Sequence, residues 1–118
     1  MSLYWSHSAW ADYQYWARKD PAIHARINLL VRAIQQQPES GPGAPVPLQA
    51  GWAGYWSRRI DPRHRLVYRV QGQRLSIVQC RYHDGYFLSP EVVAEALFNP
   101  QEMLVRRQQS SPEGSMNN

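Results

Sequence analysis

Tyr55-Trp56-Ser57-Arg58-Arg59-Ile60, His64-Arg65-Leu66-Val67-Tyr68 and Cys80-Arg81-Tyr82-His83 decide how this chain reads. The blocks lie in runs rich in aromatic and β-branched residues, at about Tyr55–Asp61, Arg65–Val70 and Leu75–Tyr82, and so read as strands. The links Asp61-Pro62-Arg63-His64 and Gln71-Gly72-Gln73 are short, which predicts consecutive antiparallel hairpins. Seven arginines (Arg58, Arg59, Arg63, Arg65, Arg69, Arg74 and Arg81) and two histidines fall in or beside these strands. Arginine offers a rigid, always-charged fork of donors that matches phosphate. Histidine gains or loses a proton near neutral pH. Guanidinium groups beside an imidazole on one sheet are the equipment of a phosphodiester-cleaving site. The bland alternative is a solvated strand face, and Arg69 and Arg74 read that way. Whether Arg59 and Arg65 share a face depends on hairpin register, which the sequence leaves open.

Upstream, Leu3-Tyr4-Trp5 is a short strand and Ser6 an N-cap for a helix to about Lys19. Ala9, Tyr13 and Trp16, with Trp10 alongside, make its apolar face, either core or a groove for a partner. Asp20 caps a second helix with Pro21 at its first position. Ile23, Ile27, Leu30, Val31 and Ile34 give it helical periodicity, which dies at Gln35-Gln36-Gln37. So tight a junction implies an αα-hairpin. Pro38 to Pro47, with four prolines and two glycines, reads as a loop without regular structure. The expected fold class is α+β: a short N-terminal strand and a two-helix hairpin covering one face of a small, mainly antiparallel sheet. The opposite face stays open and arginine-rich. Downstream, Ser89-Pro90-Glu91 opens a helical pattern through Val92, Val93, Ala96 and Leu97, and Arg106–Asn118 reads as a polar disordered end.

Composition narrows the function. A chain of 118 residues suits one domain, and 43% hydrophobic content supports a modest core. The net charge of +4 favours a polyanionic or acidic partner, and Lys19 is the only lysine, so arginine carries that charge. Cys80 is alone, which excludes an intrachain disulfide and a cysteine metal cluster, and it reads as a buried small hydrophobe. No metal and no cofactor are expected. Without a signal pattern or a membrane-length apolar run, the expectation is a cytoplasmic protein with no membrane partner.

These residues resemble the YoeB/Txe branch of the RelE/ParE toxin superfamily. The match rests on Trp5-Ser6, Trp10, Asp12-Tyr13, Tyr15-Trp16, Ile27-Asn28-Leu30, Pro38, Gly41, Gly43, Pro45, Pro47-Leu48 and Gly54, and on the three opening blocks. It runs from Met1 to His83, so the expected organisation is a toxin domain at 1–84 and a C-terminal extension at 85–118. The resemblance implies cleavage of mRNA in the ribosomal A site, with the ribose 2′-hydroxyl attacking the adjacent phosphorus to leave a 2′,3′-cyclic phosphate. It casts His83 as general acid, Arg65 as the stabiliser of transition-state charge and Arg59 as the holder of the scissile phosphate. Arg58, Arg63, Arg81 and Tyr82 are the expected RNA contacts. Implied partners are a YefM-like antitoxin, the 70S ribosome with mRNA, and a second copy in a homodimer.

Three positions depart from the family pattern. Val46 stands where the family has a glutamate general base, Gln49 where it has a lysine, and Asp84-Gly85-Tyr86 follows His83 where the family chain ends in tyrosine. Loss of a general base costs roughly 10²–10⁴-fold in rate. Glu39, seven residues before Val46, could stand in only by a different loop path. The leading expectation is therefore a weakened endoribonuclease toxin. The alternative is a catalytically degenerate homologue that keeps antitoxin binding and a co-repressor role. A general RNA-binding module ranks third, because Trp56 and Tyr68 read as core where base stacking would need exposed rings.

Overall fold

The computed structural model describes residues 1–82 and 97–101. Strand β1 (Ser2–Trp5) leads into α1 (His7–Lys19) and α2 (Pro21–Gln36). A two-residue strand, β2 (Val46–Pro47), and a 3₁₀ turn at Ala50–Trp52 precede β3 (Trp56–Arg59), β4 (Arg65–Gln71) and β5 (Arg74–Gln79). The five strands form one sheet in the order β1-β5-β4-β3-β2. β1 runs parallel to β5, and the remaining pairs are antiparallel. The expected α+β class and hairpin order hold.

The helix starts are fixed by their caps. Ser6 Oγ accepts from the Ala9 amide at 3.0 Å and donates to the Val78 carbonyl at 3.0 Å, so one buried hydroxyl starts α1 and ties it to β5. The Asp20 amide closes α1 on the Trp16 carbonyl, while Asp20 Oδ1 accepts from Ala22 and Ile23 to open α2. The core lies between this hairpin and the sheet, with Trp5, Ala9, Trp16, Ile27, Leu30 and Ile34 packed on Leu66, Tyr68, Leu75 and Ile77. Asp12, unnoticed in the helical pattern, is also buried there.

The other face carries a smaller apolar cluster of Tyr55, Val67 and Val78, with Leu48, Trp52 and Leu97 against it. A register shift between Val67 and Tyr68 departs from simple alternation. Ile77 and Cys80 join the main core, Val78 joins the open-face cluster, and Gln79 pairs with Val67. A bulge of this kind re-aims side chains near a functional surface.

Two expectations need correcting. The Pro38–Pro47 stretch is not wholly irregular, because Val46 and Pro47 pair with Ser57 and Trp56 at the sheet edge. An edge is where a proline, lacking a donor, can sit in a sheet. Leu97, assigned to a helical pattern, instead precedes a bridge in which Phe98 and Trp5 exchange backbone hydrogen bonds at 2.9 and 3.0 Å. The Phe98 ring stacks on His7 and meets Trp10 edge-on. Phe98→Ala should therefore lower stability by about 1 kcal/mol, the usual worth of such ring contacts, measured by urea unfolding. No change would mean that this contact is idle. The rest of the expected extension, 83–96 and 102–118, lies outside the described residues. No helix among the described residues is long and apolar enough to cross a membrane.

Candidate active site

Register settles which arginines meet. Arg59 pairs directly with Arg65, Ser57 with Val67, and Val46 with Ser57. Residues opposite each other on neighbouring strands point to the same side. Val67 belongs to the open-face cluster, so Val46, Ser57, Arg59 and Arg65 all present to the open face. Arg65 Nη1 donates to Ser57 Oγ at 3.3 Å. Beside them lies a cleft of about 460 Å³ with Leu48, Trp52 and Val67 as its apolar part. Its polar lining is Gln49, Ser57, Arg63, Arg65, Gln79 and Tyr82. The Arg63 guanidinium lies over the Tyr82 ring, 5.3 Å from its centroid.

The structure thus brings Arg63, Arg65 and Tyr82 into one cleft and sets Arg59 beside Arg65 on the same face. His83 lies outside the described residues, though Tyr82, to which it is bonded, lines the cleft. Arg81 is placed elsewhere, its guanidinium 3.7 Å from the centroid of the Tyr15 ring on α1. Arg69 and Arg74, read as solvated, lie over the rings of Tyr55 and Tyr4.

Arg58 corrects an expectation. It pairs with Leu66 on the helix side and is fully buried, so it is not a surface contact for RNA. Its guanidinium donates to the carbonyls of Gln37, Ser40 and Pro42 and to the Tyr68 hydroxyl. Gln37 is the C-cap of α2, where aligned carbonyls favour a positive charge. Tyr68 completes the knot by donating to the Pro38 carbonyl. The loop must come this close, and Gly43 allows it. Its φ is +87°, and a Cβ there would lie 3.0 Å from both Arg58 Cβ and Leu30 Cδ2. Glu39 belongs to this side too. Burial raises the Tyr68 pKa, the Arg58 hydrogen bond and charge oppose that, and the Glu39 charge adds to it. The residues on either side of Glu39, Pro38 and Ser40, are tied by their carbonyls to Tyr68 and Arg58, on the face opposite the arginine pair.

Position 46 is now located. Val46 is exposed at 43%, opposite Ser57, whose hydroxyl accepts from Arg65. A carboxylate there would have stood beside the arginine pair, whereas the valine side chain itself offers no proton acceptor. Gln49, at the other departure, lines the cleft and supplies an amide where a cation would add charge. Ser57 and Gln79 escaped the sequence reading. Pairing could have found Ser57, but Gln79 reaches the cleft only through the bulge. Cys80 is fully buried, and burial pushes its thiol pKa well up, which keeps it protonated and inert. No group of three His, Cys, Asp or Glu among the described residues could hold a metal ion.

Comparison with known proteins agrees with this fold. Residues 5–84 match the family model described as the YoeB-like toxin of bacterial type II toxin–antitoxin systems. The chain is 46% identical over 83 residues to the toxin YoeB of Escherichia coli K12, covering 70% of this chain and 99% of that protein. The structure of a YoeB/ParE toxin from Agrobacterium tumefaciens is 48% identical, with a TM-score of 0.67 over 70% of this chain and 99% of that one. The YoeB of Staphylococcus aureus is 36% identical, also at 0.67, over 70% of this chain and 97% of its own. It has been solved in a heterotetrameric complex with YefM and as a dimer.

Proposed function

Because the chain belongs to the YoeB-like toxin family of bacterial type II toxin–antitoxin systems, we propose that it is an endoribonuclease that cuts mRNA in the ribosomal A site. The observation that carries this reading is the direct pairing of Arg59 with Arg65 on the open face, beside a cleft that Tyr82 also lines. The ribose 2′-hydroxyl attacks the adjacent phosphorus and gives up its proton to solvent, no carboxylate standing at position 46 to take it. The bond to the 5′-oxygen breaks, leaving a 2′,3′-cyclic phosphate and a 5′-hydroxyl. Arg65 meets the charge that builds on the phosphoryl oxygens, Arg59 holds the scissile phosphate, and His83 protonates the departing oxygen. Arg63 and Tyr82 receive the flanking nucleotides, with the Tyr82 ring as a stacking surface. Fixed cations and positioning carry much of phosphoryl-transfer catalysis, so activity survives in weakened form without a base at Val46.

A YefM-like antitoxin is the proposed neutralising partner, folding on the basic face with acidic groups against the arginines. Pairing of two copies is the proposed oligomeric state. A second reading is favoured by one observation, the exposed valine at the position of the base. It holds that cleavage is lost while antitoxin binding and co-repression remain. Primer extension on mRNA in programmed 70S ribosomes separates the two. The expected result is an A-site cut that is absent with free mRNA and absent with Arg65→Ala. An intact message with the wild-type chain, alongside antitoxin binding, would favour the degenerate reading.

A further inference from the structure

The chain leaving β5 is held at two points. From one side, Trp16 Nε1 of α1 donates to the Cys80 carbonyl at 3.0 Å, and Cys80 Sγ reaches the Ala9 carbonyl at 3.4 Å. From the other side, His64 Nδ1 accepts from the Tyr82 amide at 2.9 Å. The two holds touch, because the His64 ring meets Trp16 edge-on with centroids 4.8 Å apart. His64 is itself fixed by its backbone. Its amide donates to Asp61 Oδ1 at 2.6 Å, and its carbonyl accepts from Ile60 at 2.9 Å and from Asp61 at 3.3 Å. These backbone bonds close the β3–β4 turn, whereas the hold of the His64 ring on the Tyr82 amide is no part of that turn and reaches toward the cleft.

We propose that His64 is a positioning residue for the cleavage reaction, accepting the Tyr82 amide so as to fix the backbone from which Tyr82 enters the cleft. This rests on the proposed function, since it assigns His64 to the same site. The latch exists in one protonation state only. Neutral imidazole can accept at Nδ1 while Nε2 keeps its hydrogen, whereas the imidazolium carries hydrogen on both nitrogens and cannot accept. The surroundings favour the neutral form. Burial lowers the His64 pKa, the charges of Arg63 and Arg81 lower it further, and Asp61 and the α1 residue Asp12 oppose them. The sign follows: a histidine with a lowered folded pKa stabilises the fold fully above its unfolded value. That contribution fades as pH falls below about 6.5 and is gone once pH passes the folded value. The latch therefore opens on the acid side.

Two variants of the full chain test this. His64→Asn places an acceptor oxygen near the position of Nδ1 but does not titrate, and His64→Ala removes the acceptor. Amide hydrogen exchange at Tyr82, corrected for intrinsic rates, should be slow in wild type and His64→Asn and at least roughly tenfold faster in His64→Ala, about what loss of one such bond gives. Lowering the pH to about 5.5, below the ordinary histidine value, should speed exchange in wild type and not in His64→Asn. Cleavage on programmed ribosomes should follow the same order, with kcat reduced in His64→Ala, KM for the ribosome unchanged, and the wild-type acid limb missing from His64→Asn. Slow Tyr82 exchange in His64→Ala would overturn the latch, whatever the cleavage data. Fast exchange with unchanged kcat would overturn the positioning role. Arg65→Ala should stop cleavage yet leave Tyr82 exchange slow. Failure of the proposed chemistry and failure of the latch thus appear in different measurements. If no variant cleaves, the positioning role falls with the site, while the exchange data still report the hydrogen bond.

Discussion

Val46→Glu is expected to raise cleavage of mRNA on programmed ribosomes by at least roughly tenfold, within the ~10²–10⁴-fold span of a positioned general base. The reason is local. Position 46 pairs with Ser57, and the Ser57 hydroxyl accepts from Arg65. A glutamate would therefore project from an exposed edge onto the same face as Arg59 and Arg65, where a 2′-hydroxyl must lose its proton. The arginines would hold its carboxylate ionised at neutral pH, which is the state a base requires. The cost to the fold should be small, because Val46 is exposed and lies on a two-residue edge strand. Initial rates by primer extension, with matched antitoxin-free preparations, measure the effect. Equal rates for wild type and Val46→Glu would show that this corner does not need a base.

Arg58→Ala should cost on the order of 3 kcal/mol or more in stability, since each buried acceptor left unsatisfied costs about 1–3 kcal/mol. Three carbonyls and a tyrosine hydroxyl converge on this guanidinium, and the loop at 37–43 is folded around it. Arg58→Lys should recover only a minor part, because one ammonium cannot span four acceptors set for a planar fork. The consequence reaches the site, since the same loop leads into β2 and position 46. Urea unfolding gives the number, and a loss below about 0.5 kcal/mol, the size of an ordinary surface change, would contradict the structural role.

The contrast between Arg58 and its neighbour shows how far the sequence could be read. Local signals were dependable. Ser6 and Asp20 announced both helix starts because capping is set by one side chain and the next three residues. The short links announced the hairpins for the same reason. Faces were harder. Adjacent strand residues point to opposite sides, so Arg58 and Arg59 could never both reach the RNA. Only the pairing of Arg58 with Leu66 shows which one turns inward. The bulge between Val67 and Tyr68, which admits Gln79 to the cleft, depends on packing across strands and leaves no local trace. The hold of His64 on Tyr82 joins residues far apart in the chain, as does the bridge from Phe98 to Trp5, and neither has a signature in composition or spacing.

The most direct test of the proposed chemistry is the identity of the new RNA ends, determined by mass spectrometry on fragments cut from programmed ribosomes by wild type and Val46→Glu. A 2′,3′-cyclic phosphate paired with a 5′-hydroxyl, both absent with Arg65→Ala, is the expected result. A 3′-hydroxyl paired with a 5′-phosphate, or a message left uncut by wild type and Val46→Glu alike, would contradict it.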